Sequence, residues 1–130
     1  MSVIVTDGGF VTEHMDPEDA EQTLDLAADA DLSQLAGQLA RMQLIRVTFP
    51  TFADGRGFTL AHRLRLLGYQ GRLRAVGPLI ADQYAMARRV GFDEVEIPDD
   101  LAARQKEPQW IYRADWRGHD YRARLCLQAQ

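Results

Sequence analysis

Four short stretches of the chain alternate apolar and polar residues with a period of two: TLDLA (23–27), LIRVTF (44–49), RLRAV (72–76) and EVEI (94–97). That period belongs to strands, because successive side chains leave a strand on opposite faces. Between the strands the apolar period lengthens to that of a helix. In DLSQLAGQLARM, Leu32, Leu35, Leu39 and Met42 form one stripe, with Asp31 and Gln34 as a capping-box-like pair. After residue 55 a second stripe of Leu60, Leu64 and Leu67 runs to Gly68. A third helix is predicted between Pro78, near its first turn, and Gly91, just past its last. Upstream, VIVTDGGFVTE alternates around Asp7, Gly8 and Gly9, which predicts a tight hairpin at a sheet edge. Asp16-Pro17 marks a single helical turn within 14–21.

Strands separated by helices of this length imply right-handed parallel crossovers, hence an α/β sheet of at least four strands. The chain reads as one domain of 130 residues. Residues 1–22 make an acidic hairpin arm, 23–98 a βα core, and 99–130 a C-terminal extension whose tail from Trp110 onward forms an extra strand or hairpin, turning at Arg117 and Gly118. The alternation within the strands is less usual, since parallel sheets covered on both faces read as continuous apolar runs. Here Leu24, Leu26, Ile45, Val47, Phe49, Leu73, Ala75, Val95 and Ile97 share the helix-covered face. Asp25, Arg46, Arg74, Glu94 and Glu96 share the other. An open sheet wetted on one face accounts for this. So does a curved sheet resembling half of a (β/α)8 barrel whose inner face carries a ladder of charges, with Arg74 beside Glu96, and that is the preferred reading. Exposed sheet edges would then be covered by the hairpin, the tail or a second subunit.

Net charge is −4, but residues 1–40 hold nine acids and no Lys or Arg, against ten acids and fifteen bases in the remainder. The split reads first as a solvated arm, and alternatively as a source of attraction between copies, so a homodimer is expected. Fourteen of the bases are arginine and are scattered without interleaved aromatics, so no nucleic-acid partner is expected. No run of 18 apolar residues and no basic-then-apolar leader is present, so no membrane partner is expected and the expected location is cytoplasmic. The single cysteine, Cys126, offers neither an internal disulfide nor a thiolate metal cluster.

Ligands of parallel α/β folds bind at the C-terminal ends of the strands, which is where Asp54, Gly55 and Arg56 fall. Asp82 and Gln83 fall at the next connection, and Arg74 lies on the strand before it. Gly55 permits close backbone approach, and Arg56 is suited to a bidentate grip on a small anion. Asp54 and Asp82 are candidate acid–base groups. Ordinary turn chemistry competes with this: Asp54-Gly55 as a turn, Arg56 as a structural partner of Asp54 or Asp82. Gly55-Arg56-Gly57 lacks the third glycine of a dinucleotide fingerprint. His14, His62 and His119 show no zinc spacing, and no nucleophile elbow surrounds either serine. No cofactor is identified.

Within the stretch from Leu39 to Ile97, residues 50–97 read PxFxDGRGFTxAxxLRxxGYxGxLRAVGxxxxDQxxxxxRxGFDxxEI. This resembles the bacterial family called domain of unknown function 934. Asp54, Gly55, Arg56, Arg74, Asp82 and Gln83 fall on family-like positions. The resemblance implies a role in assimilatory sulfite reduction, and the first reading is a non-catalytic accessory to a sulfite reductase component, with sulfite or sulfate as the small anion. Family members carry an oxidoreductase label, so a small enzyme using Arg56 with Asp54 or Asp82 is the alternative, and a structural homo-oligomeric subunit is a third. Six-electron reduction of sulfite by this chain alone is chemically implausible, because such a reaction needs iron–sulfur and haem-type carriers.

Overall fold

The computed structural model describes residues 2–11, 22–35, 37–51 and 53–113. The expected turn at 14–21, the tail hairpin at 117–118, and His14, His119 and Cys126 lie outside the described residues.

The hairpin forms as its pattern predicts. β1 (Ser2–Thr6) pairs antiparallel with β2 (Gly9–Val11), and the left-handed φ of 118° at Gly9 closes the turn. Four strands follow in parallel: β3 (Thr23–Ala27), β4 (Leu44–Thr48), β5 (Arg72–Val76) and β6 (Glu94–Pro98). The six-stranded sheet has the order β2-β1-β6-β5-β4-β3, with β1 antiparallel to β6. It is an open sheet, with β2 and β3 as its two edges. Because the parallel strands stand in sequential order, right-handed crossovers place their helices on one face.

That face holds the core. Ile45, Val47, Phe49, Leu73, Ala75, Val95 and Ile97 are all buried, in one cluster that extends from Val5 to Trp110. Helix α1 (Arg56–Leu66) buries Gly57, Leu60, Ala61 and Leu64 against it, and α2 (Tyr84–Val90) buries Tyr84 and Ala87. Gly91 caps α2 in the left-handed region as expected. Leu67 departs from the predicted stripe: it is 50% exposed beside Leu66 at 73%. Leu67 is the C-cap of α1 and stands past the last core-facing turn.

A further expectation is corrected. Among the described residues, 31–42 form two short 3-10 turns, Leu32–Gln34 and Leu39–Arg41, in place of a continuous helix. Asp31 accepts from the Ser33 amide at 3.0 Å, a local bond that competes with helix, and Gly37 disfavours helix by about 1 kcal/mol relative to alanine. The stripe survives nevertheless, since Leu39 is buried and Leu32, Leu35 and Met42 pack on the core. The described part of the C-terminal extension is helical: α3 (Asp99–Arg104) and α4 (Glu107–Arg113), whose last turn takes in Trp110–Arg113, while the rest of the expected strand or hairpin lies outside the described residues. Pro98 precedes two acids in the first turn of α3, and Pro108 occupies the first turn of α4, both favourable helix starts. Trp110 then packs edge-on against Tyr84, ring centroids 6.2 Å apart.

The other sheet face carries the charge ladder. Strand register sets Asp25, Arg46, Arg74 and Glu94 in one transverse row. Arg46 binds Asp25 through two hydrogen bonds of 2.6 and 3.0 Å, and Arg74 reaches Glu94 at 3.2 Å and Glu96 at 3.0 Å. The expected Arg74–Glu96 contact is therefore present. Arg46 holds the Asp25 carboxyl below the usual carboxylate range, chiefly through that hydrogen bond.

Candidate functional site

The corner after β4 is built on Phe49. Its ring lies against Phe58 at 5.0 Å and Phe92 at 5.9 Å, and a Cβ added to Gly57 would stand 2.3 Å from it. Only glycine lets the first turn of α1 sit that close to the aromatic ring. The Phe49 amide donates to the Val76 carbonyl at 2.7 Å, which fastens the corner to the end of β5.

On this base the structure brings Asp54, Gly55 and Arg56 together. The Asp54 carboxylate accepts from the Arg56 amide at 3.0 Å and holds the Arg56 guanidinium by contacts of 3.0 and 2.7 Å. Asp54 thus satisfies an unpaired amide of the first helical turn and engages one edge of the fork. The Arg56 side chain is 61% exposed. Of the two partners considered for Arg56 in the fold, the one found is Asp54. Gly55 has an ordinary φ of −84° and open space where a Cβ would lie. Asp82 and Gln83 stand in the next connection, in a 3-10 turn from Ala81 to Gln83, where the Gln83 side chain accepts from the Ile80 amide at 3.0 Å. Asp82 lines a hollow of ≈ 410 Å³ with Gln105 and Tyr112. Arg74 lies within the sheet ladder.

The Arg56 hydrogen bonds lower the Asp54 pKa to about 2, the guanidinium bond contributing most and the backbone bond next. A carboxylate so stabilised is a weak base at neutral pH. Arg56→Ala is expected to raise the Asp54 titration toward its ordinary 3.8 while the backbone amide of residue 56 still donates to it, read by carbon NMR of the side-chain carboxyl. An unmoved Asp54 titration in that variant would show that Arg56 does not govern it.

Arg56 also borders a cleft of ≈ 250 Å³ at the C-terminal end of β3, with Asp29, Thr59 and Arg63. Arg56, Thr59 and Arg63 occupy positions i, i+3 and i+7, one face of α1. Arg63 is exposed, and among the described residues its guanidinium has neither a hydrogen bond nor an ion pair. Sequence reasoning passed over Arg63; the three-residue and seven-residue spacing from Arg56 was the available signal.

The motif string and this geometry coincide in the corner from Phe49 to Gly57, and residues 23–118 match a bacterial protein family of unknown function, DUF934. The chain belongs to the DUF934 family. No curated protein matches the chain, and no solved structure does. The DUF934 match begins at β3 and so takes in the whole parallel βα array, with the Arg56–Arg63 face inside it. Among the described residues no helix is long and apolar enough to cross a membrane.

Proposed function

We propose that this DUF934 protein is a non-catalytic accessory protein that binds a small oxyanion on the outer face of α1. The setting is the assimilatory sulfite reduction that the family resemblance implies. One observation supports the binding reading above the rest. Arg63 shares a cleft with Arg56 and has no carboxylate partner among the described residues. A guanidinium presents a planar fork of donors that matches two oxygens of a sulfur or phosphorus oxyanion. Arg56 adds a second positive charge, and Thr59 a hydroxyl. Asp29 on the opposite wall tempers the field, which selects for a ligand small enough to sit on the arginine side. The low basicity of Asp54 favours binding over proton transfer.

Calorimetric titration of the full chain with sulfite and with sulfate tests this reading. Saturable binding is expected. Arg63→Ala should weaken it roughly tenfold or more, the worth of a charge-assisted hydrogen bond, with the melting temperature unchanged because the residue is exposed. Arg63→Lys should restore part of the loss, since an ammonium keeps the charge without the fork. Arg56→Ala should cost less, as Asp54 already engages that fork. Wild-type protein that binds neither anion would overturn the reading.

A further inference from the structure

Arg63 belongs to two hollows at once. Besides the cleft it shares with Arg56, it borders a second hollow of ≈ 460 Å³ whose other walls are Leu32, Ser33, Leu66 and Leu67. The two hollows run end to end along α1, against the segment that follows β3. At 1.5 Å per residue, the path from Arg56 to Leu66 is roughly 15 Å long. Its first half carries Arg56, held by Asp54, and Arg63 opposite Asp29, and its second half is apolar.

The apolar half calls for explanation. Leu66 is 73% exposed and Leu67 50%, although the helical period would have placed Leu67 in the core. Single exposed leucines are ordinary on a protein surface. Two in succession, walling a hollow with Leu32 one helical turn from an arginine that has no ion pair among the described residues, form a shelf that a ligand's hydrocarbon can cover while its charge stays on Arg63.

We infer that the ligand of this face is an amphipathic organic oxyanion, an alkyl sulfonate or carboxylate, with its headgroup on Arg63 and Arg56 and its chain over Leu66, Leu67 and Leu32. This rests on the oxyanion reading above and adds the class of ligand. An inorganic anion would use only the arginine half of the path. A chain of four to eight carbons fills the rest. Charge complementarity fixes the ligand's direction, because its anionic end has one place to go.

The experiment is a calorimetric series on the full chain with sulfate, methanesulfonate, butanesulfonate and octanesulfonate. Affinity is expected to rise with chain length, by up to about fourfold for each methylene that becomes fully buried, and at least tenfold from methane- to octanesulfonate. The double variant Leu66→Ser/Leu67→Ser should flatten that rise and leave methanesulfonate affinity unchanged. Both leucines are exposed, so the fold should tolerate the change. Arg63→Ala should weaken every member of the series. If sulfate and all three sulfonates bind alike, this inference is overturned and the oxyanion reading stands. If none binds, both fall. A wild-type dimer in sedimentation that the leucine double variant dissociates would give the shelf to a second copy and overturn the inference.

Discussion

Gly77→Ala is expected to remove about 3–5 kcal/mol of stability, a large part of what a domain of this size holds. Gly77 follows the last residue of β5 with a φ of 145°, a conformation that residues with a Cβ rarely adopt. An added Cβ would stand 2.3 Å from the Phe49 carbonyl oxygen and 3.2 Å from the Phe49 Cβ. Neither atom can give way. Phe49 is buried, its amide is bonded to the Val76 carbonyl, and the Gly77 amide is bonded to the Glu96 carbonyl at 3.0 Å. Backbone strain of about 1–3 kcal/mol adds to overpacking of about 1–3 kcal/mol. Gly55→Ala is the control, with an ordinary φ and open space at the Cβ, and should lie within about 1 kcal/mol of wild type. Urea denaturation reads both. A Gly77→Ala midpoint equal to that of Gly55→Ala would mean that the two connections are not locked together. The effect should reach the arginine face too, because Phe49 is the platform on which α1 begins.

The strands were legible because a sheet with one charged and one apolar face prints a period of two, and all four parallel strands stand where that period put them. Glycine punctuation located the ends of α1 and α2, since a left-handed residue can end a helix but not continue it, whereas Pro78 did not mark the start of α2, which begins at Tyr84 after a 3-10 turn at Ala81–Gln83. The segment 31–42 misled because its leucine spacing fits a 3-10 turn as well as an α-helix, and periodicity alone does not weigh Gly37. α3 and α4 were passed over although Pro98-Asp99-Asp100 and Glu107-Pro108 are start signals, because neither helix carries a long apolar stripe. At the site, the DGR corner was visible as chemistry, but Asp54 and an external anion satisfy the same fork, so the sequence left both open. Arg63 was hidden for a different reason. A lone arginine on a helix looks like a solvated face until the chain after β3 folds alongside it to make a cleft.

The buried ladder should prove as sensitive as the Gly77 corner. Arg74 and Glu94 are only 3% and 5% exposed, and they stand opposite each other across β5 and β6. Register also places Arg74 beside Arg46, a repulsion that Glu96 offsets by reaching both, at 3.0 and 3.8 Å. Arg72 binds Glu94 from the other side at 2.7 Å. Glu94 is therefore shared by two guanidinium groups. Glu94→Leu should cost about 3 kcal/mol, because the buried Arg74 charge loses the carboxylate that faces it and keeps only Glu96. Arg74→Met should cost somewhat less, since Glu94 keeps Arg72. The double variant Arg74→Met/Glu94→Leu should recover much of the loss, as apolar residues of similar volume replace buried ion pairs with little net penalty. A double-mutant cycle at neutral pH, by urea denaturation, should then give a coupling of about 1–3 kcal/mol. Strictly additive losses would mean that each charge is stabilised by its own surroundings, and the ladder would be a row of neighbours, not one interacting unit.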